Sequence, residues 1–247
     1  MRRFTIAPDR RGGDHVTFDR DESHHIARVL RLRAGATVIA VDGTGRDYTV
    51  RLETVGTETT GTIVAVATRD TESPFPITLV QGLPKADKLD MVIRAATELG
   101  VIRIAPALTA RTVVRLDASR AATRVARWQR VAREAAKQCG RSRLPVIEAP
   151  RALGEWLTDP ADAGALRLCL WEEARAPMAE LLASLPTPPS SAIVVIGPEG
   201  GLTPAEADTA RRAGWHVTGF GPRLLRTETA GPAVIAALQF KYGDLGR

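Results

Sequence analysis

The sequence predicts an α/β protein in which a small β-rich domain precedes a larger one built on a mostly parallel sheet with helices on both faces. Three observations carry this. The first seventy residues read as short strand-like runs separated by turn signals. Ser73 to Pro76 (SPFP), with two prolines two positions apart, breaks that pattern. Beyond it strand-like runs alternate with helical ones, the order expected where parallel strands need crossover helices. A length of 247 residues, 44% hydrophobic and 25% charged, suits one or two globular domains. The boundaries that follow are residues 1–72 for the first domain, 73–76 for the linker and 77–247 for the second.

The strand candidates of the first domain, a small β-barrel, are RRFTIA, HVTFD, ATVIAV, DYTVRLETV and GTIVAVAT. DGTG (Asp42 to Gly45) reads as a hairpin turn, because glycine supplies the positive φ such turns demand. A short helix interrupts the strands, with Asp21 or Ser23 as its cap and Ile26, Val29 and Leu30 on one face. In the second domain ITLVQGL, RIAPAL, LPVIEA, LRLCLW, AIVVIG and HVTGFG are the expected strands. Helices are expected over ADKLDMVIRAATELG, near 118–140, at 152–158, at 177–185, over TPAEADTARRAG and over PAVIAALQFKY. AIVVIG is apolar without alternation, as a strand buried on both faces must be. In the long helix near 118–140, Val125, Trp128, Ala132, Ala135 and Cys139 form one helical stripe. Arg120, Arg124, Arg127, Arg130, Arg133, Lys137 and Arg141 form another, so one face should pack while the other presents cations.

Charge is concentrated rather than spread. Between Arg111 and Arg143 there are ten basic residues, Arg115 among them, against two acids; this window is +8, so the rest of the chain carries about −2 of the net +6. One dense positive region is the footprint of a polyanion partner, and 4% aromatics argues against binding by base stacking alone. The longest aliphatic run, Ala192 to Ile196, is far short of the roughly 20 residues needed to cross a bilayer. MRRFTIAPDRR has no apolar run behind its charges, and Cys139 and Cys169 form no CxxC, so a cytoplasmic protein without a metal site is expected. His24 and His25 are adjacent and cannot share a metal as an i, i+4 pair can. GTETTGT lacks the lysine of a phosphate loop, and neither GxGxxG nor GxSxG occurs.

The remaining chemistry gathers after the last two strands. AIVVIG runs into GPEGGLTPAE and HVTGFG into PRLLRTETAGP, at the strand edge where open α/β sheets bind ligands. Gly197, Gly200 and Gly201 permit turns and a close approach to a ligand. Thr203, Pro204 and Glu206 read as a capping box with proline at the first helical position. Glu199 either serves the site or accepts loop N–H groups. Arg226, Thr227, Glu228 and Thr229 precede a helix start at Gly231 and Pro232, where Thr229 could cap and Arg226 could pair with Glu228.

The motifs MRRF, HHIARVLRLRAG, LPKADKLDMVIRAATELGV, REAAKQCGRSRLPVI, IGPEGGLTPAE and FGPRLLRTETA resemble, across nearly the whole chain, those of the RsmE family. These are the bacterial 16S rRNA uridine-N3 methyltransferases of the SPOUT superfamily. Phe220 and Cys139 depart mildly from the family, which usually has leucine and serine there. The resemblance implies a PUA-like RNA-binding barrel, a SPOUT α/β domain with a deep trefoil knot, S-adenosylmethionine as methyl donor and a homodimer acting on the small ribosomal subunit. It places the cofactor among Leu170, Ile196, Gly197, Glu199, Gly200, Gly201, Phe220, Gly221, Leu224, Leu225, Arg226, Thr227, Thr229 and Ala230.

Uracil N3 carries a proton, so its methylation calls for a base and for a cation near the developing anion. Glu228 and Arg226 fit these roles by type and location, although either could instead orient the loop. Lys85 is a second cation candidate, and Lys88 and Arg94 suit phosphate. RNA contacts are expected from Arg2, Arg3, His25, Arg28, Arg31, Lys85, Lys88, Arg111, Arg124, Arg127, Arg130 and Arg141. Two rival readings are a methyltransferase for another RNA or a ribose hydroxyl, and a noncatalytic RNA-binding assembly factor. The second fits poorly with two intact cofactor loops.

Overall fold

The structure, a computed structural model, describes residues 1–69, 71–113, 117–159 and 164–246; Arg115 lies outside them. It divides into two compact units, Met1–Glu72 with Arg133–Leu144, and Ser73–Ala132 with Pro145–Arg247. The sequence reading keeps 77–247 together, whereas Arg133–Leu144 groups with the first unit. Polar contacts explain why: the Gly45 N–H donates to the Ser142 carbonyl at 2.9 Å, the Ser142 hydroxyl to Asp47, and the Arg141 guanidinium to Glu72.

In the first unit six strands form one sheet in the order β1-β4-β5-β6-β3-β2. They are β1 (Arg3–Thr5), β2 (Arg11–Gly12), β3 (His15–Thr17), β4 (Thr37–Val41), β5 (Arg46–Thr54) and β6 (Thr60–Thr68). The β1–β4 pair is parallel and the rest antiparallel. Phe4, Phe18, Ile26, Val38, Tyr48, Val50 and Leu52 fill its core. The turn at Asp42 forms as expected: its carboxylate accepts from the Thr44 N–H at 3.0 Å, and Gly43 and Gly45 have positive φ. Helix α1 (Arg20–His24) is capped by Asp19, which accepts from the Glu22 N–H at 2.8 Å, so neither Asp21 nor Ser23 is the cap. A π-helical turn, His25–Val29, continues it. That wider turn leaves Ile26 buried but rotates Val29 out to 60% exposure, off the expected packing face.

The second unit holds β7 (Ile77–Gly82), α2 (Lys88–Glu98), β8 (Arg103–Leu108) and the start of α3 (Ala118–Cys139). There follow β9 (Val146–Ile147), β10 (Arg151–Ala152), α4 (Leu153–Leu157), β11 (Leu166–Leu170), α5 (Met178–Ser184), β12 (Ala192–Ile196), α6 (Pro204–Arg212), β13 (His216–Thr218) and α7 (Thr227–Tyr242). The sheet is wholly parallel, in the order β10-β8-β7-β12-β11-β13, with β9 also on β8. Alternate residues of one strand enter different cores. Val194 packs with Leu79, Ile104, Leu168 and the α2 and α7 side chains; Val195 packs with Val80, Ala105, Cys169, Trp156 and Trp215. Burial on both faces is the cause of the unbroken apolar run.

Three expectations change here. LPVIEA pairs only at Val146–Ile147, since Pro145 and Pro150 bracket it and cannot donate to a ladder. On α3, Trp128, Ala132 and Ala135 are buried as expected, but Cys139, the helix's last residue, is exposed. Helix α7 begins at Thr227, not at Gly231 and Pro232: the Arg226 carbonyl accepts from the Thr229 and Ala230 N–H groups at 2.9 and 2.8 Å. Pro232 therefore lies in the second turn, where it removes one intrahelical donor. Among the described residues no helix is long and apolar enough to cross a membrane.

Candidate active site

A cavity of about 680 Å3 opens at the C-terminal ends of β11 and β12. Leu170 and Ile196, the last residues of those strands, are buried and form part of its wall. The loop 197–201 after β12, the loop 219–226 after β13 and the first turns of α7 supply most of the remainder, and Lys88 enters from the start of α2. This volume is within the range of small-molecule sites. Every residue expected to hold the cofactor lines the cavity except Thr229, which is exposed in the first turn of α7. Trp171, Glu172 and Val234 line it too, and sequence reasoning passed over them.

The glycines of the 197–201 loop serve its own packing. Gly201 has φ +70°, and a Cβ there would overlap the Glu172 carboxylate; at Gly197 it would sit 2.9 Å from the Gly201 carbonyl carbon. At Gly200 it would meet only the Arg111 side chain, at 3.2 Å. Close approach to a ligand is thus not needed to explain the first two.

A buried polar network joins three elements beneath the cavity. The Gln81 side-chain amide donates to the Thr227 hydroxyl at 2.8 Å, and that hydroxyl donates to the Gly197 carbonyl at 2.6 Å. Gln81 is fully buried, and its Oε1 has no partner among the described residues. Its only sequence signal was a lone amide in the apolar strand ITLVQGL.

Lys88 ties the 197–201 loop to the first turn of α7. Its Nζ lies 3.2 Å from Glu199 and 3.4 Å from Glu228. Burial pushes the Glu199 pKa up. The backbone N–H groups of Glu199 and Lys85, with the Lys88 ammonium, outweigh this and hold it below the ordinary carboxylate value. Glu199 therefore does accept loop N–H groups, that of Lys85 at 3.0 Å. Glu228 Oε2 is buried and makes no hydrogen bond; the Lys88 contact satisfies an ion-pair distance without hydrogen-bond geometry. The first turn of α7 favours negative charge at this position. Arg226 is the N-cap residue of α7, exposed at the cavity wall, and its guanidinium has no partner among the described residues. Neither the Arg226–Glu228 pair nor capping by Thr229 forms.

The basic residues divide into engaged and open ones. Arg3 donates to Asp47 at 2.6 and 2.9 Å, Arg141 is buried against Glu72, and His25 packs edge-on against Phe4. Arg127 pairs with Asp87 and Asp90, Lys137 with Glu22 and Glu134, and Arg120 with Asp117. Arg111 donates to the Gly200 carbonyl at 2.6 Å. Arg2, Arg28, Arg31 and Arg130 are exposed, as is Lys85, and Arg124 is half-buried.

Set against known proteins, residues 71–239 match a family model described as an RNA methyltransferase domain and residues 18–59 one described as an RNA methyltransferase PUA domain. The class these define is a two-part RNA methyltransferase. Ribosomal RNA small subunit methyltransferase E of Bacillus subtilis is 32% identical over 90% of this chain and 88% of its own, and that of Mycobacterium bovis 33% identical over 92% and 86%. A crystal structure of the Neisseria gonorrhoeae enzyme of that name, bound to S-adenosyl methionine, superposes with a TM-score of 0.89 at 34% identity over 99% of each chain. The chain belongs to the ribosomal RNA small subunit methyltransferase E family.

Proposed function

We propose that the protein transfers a methyl group from S-adenosylmethionine to N3 of a uridine in 16S rRNA of the small ribosomal subunit. The observation that carries this reading is the cavity at the strand ends, whose residues suit that cofactor. Leu170, Ile196, Phe220, Leu225 and Val234 give it apolar wall, loop backbone gives donors and acceptors, and Glu228 Oε2 is a buried acceptor in want of a donor. When bound, the cofactor supplies an activated methyl group, so no metal is called for.

The chain's own residues bind, orient and handle one proton. Glu228 accepts the N3 proton on Oε2, which is buried without a hydrogen-bond donor and lies 3.4 Å from the Lys88 ammonium. Arg226, free of any acidic partner, faces the negative charge that grows on the uracil oxygens. Thr227 fixes both by anchoring the helix start to Gly197 and Gln81.

The same reading includes a deep trefoil knot in the second unit, a cytoplasmic location and a homodimer. The decisive experiment incubates 30S subunits with labelled S-adenosylmethionine and analyses the nucleosides by mass spectrometry. The expected product is 3-methyluridine; a ribose-methylated nucleoside, or none, would overturn the proposal.

A further inference from the structure

The segment that follows β8 is fastened to the loop after β12, and one of its residues, Arg111, is among the cations that the sequence assigns to RNA. Thr109 and Thr112 close a tight turn there. The Thr109 N–H donates to the Thr112 hydroxyl at 2.9 Å, and the Thr112 N–H to the Thr109 carbonyl at 3.0 Å. Both residues between them bond to the segment after β12. The Ala110 N–H donates to Glu206 Oε1 at 2.8 Å, while Arg111 Nη1 donates to the Gly200 carbonyl at 2.6 Å and to the Leu202 carbonyl at 3.4 Å. Glu206 thus has a use beyond its capping box: Oε2 closes the box with Thr203, and Oε1 holds the turn after β8.

The 197–201 loop has need of such a restraint. Consecutive glycines at 200 and 201 leave its chain many conformations, and freezing them when a ligand binds subtracts from affinity. The Gly201 N–H closes the loop on itself by donating to the Pro198 carbonyl at 2.9 Å. Arg111 adds two bonds from outside, one on each side of Gly201, and a charged donor makes the stronger kind of bond. The Leu202 carbonyl accepts as well from the Trp171 indole N–H at 3.2 Å, and Trp171 lines the cavity. A single peptide oxygen therefore joins the clasp to the cavity wall. Arg111 itself does not line the cavity, so it acts through the loop and not on the ligand.

We propose that Arg111 is a positioning residue of the cofactor site: by holding Gly200 and Leu202 it keeps the 197–201 loop in its binding shape before S-adenosylmethionine arrives. The inference rests on the reading that the cavity takes that cofactor. It also removes Arg111 from the expected RNA contacts, because both hydrogens of its Nη1 are committed to loop carbonyls.

The test uses the full chain carrying Arg111→Ala or Arg111→Lys, with folding checked by thermal melting. Calorimetric affinity for S-adenosylmethionine is expected to fall about tenfold in Arg111→Ala, the scale for losing a hydrogen bond from a charged group. In Arg111→Lys it should fall only about threefold, since an ammonium reaches the carbonyls without the fixed geometry of the guanidinium. On 30S subunits the loss should appear in KM for S-adenosylmethionine rather than in kcat. For a single-stranded oligonucleotide of 16S rRNA sequence, the slope of log K against log salt should stay at the wild-type value. Unaltered cofactor affinity in Arg111→Ala, or a slope lower by about 0.7, the signature of one lost phosphate contact, would overturn the assignment. Failure of the broader reading looks different: the wild-type chain would then show no binding of S-adenosylmethionine at all.

Discussion

Arg226 and Glu228 stand two positions apart yet do not pair, and that separation leaves one an open cation and the other a buried acceptor. Arg226→Ala is expected to lower turnover by about 10² to 10³, the scale for losing one donor to a developing anion. Arg226→Lys should recover little, because a point charge does not reproduce the guanidinium fork. Glu228→Gln keeps size and loses the basic oxygen, so single-turnover rates on 30S subunits should fall at neutral pH while S-adenosylmethionine affinity, measured by calorimetry, holds; a wild-type rate would leave Glu228 only a loop-orienting role. The glycines give a ranked pair. Gly201→Ala meets both positive φ and the Glu172 carboxylate, whereas Gly200→Ala meets a movable arginine. Cofactor affinity should therefore collapse in the first and change less than about tenfold in the second.

The elements were legible where the pattern is local. The capping box at Thr203 and Glu206 could be read directly, and the structure forms it, Thr203 Oγ1 accepting from the Glu206 N–H at 3.2 Å. Thr203→Ala is expected to cost about 1 kcal/mol in denaturant unfolding. Less legible was α7, because a proline suggested its start and only the Arg226 carbonyl's two bonds set it at Thr227. The arginine stripe of α3 was visible as periodicity. Its partial neutralisation was not, since Asp87 and Asp90 lie about forty positions from Arg127 in sequence. Pairings of that kind belong to tertiary structure, and so does the Gln81–Thr227–Gly197 network that steadies the site.

Across the molecule, several carboxylates are poised to make stability fall with acid. Burial raises the Asp47 pKa, but hydrogen bonds from Arg3 and Ser142 and the nearby guanidinium charges more than reverse this, leaving it below the ordinary 3.8. Asp42 is lowered likewise, by Thr44 and Tyr48 against its own burial. A carboxyl depressed on folding contributes stability that is present above its unfolded value and lost as pH falls through the folded one. Asp47→Asn should accordingly destabilise the protein near pH 7, and the gap should narrow below about pH 3.8. Urea titrations across that span would show it, and a gap independent of pH would mean that Arg3 and Ser142 do not hold the ionised form. Lys137 works in the opposite direction. Burial lowers its pKa, but Glu134 and Glu22 raise it above the usual 10.5, so its contribution fades only in strong alkali.

The place of β12 in the parallel sheet sets a timetable for birth on the ribosome. Val80 pairs with Val195, so β7 leaves the exit tunnel roughly 115 residues before the strand that must lie against it. At about 5 to 20 residues per second that is a wait of roughly 6 to 23 s, with Leu79 and Val80 on an open edge. During it the nascent sheet is a target for chaperones and for mispairing, and faster elongation over the interval that separates the emergence of the two strands shortens that exposure.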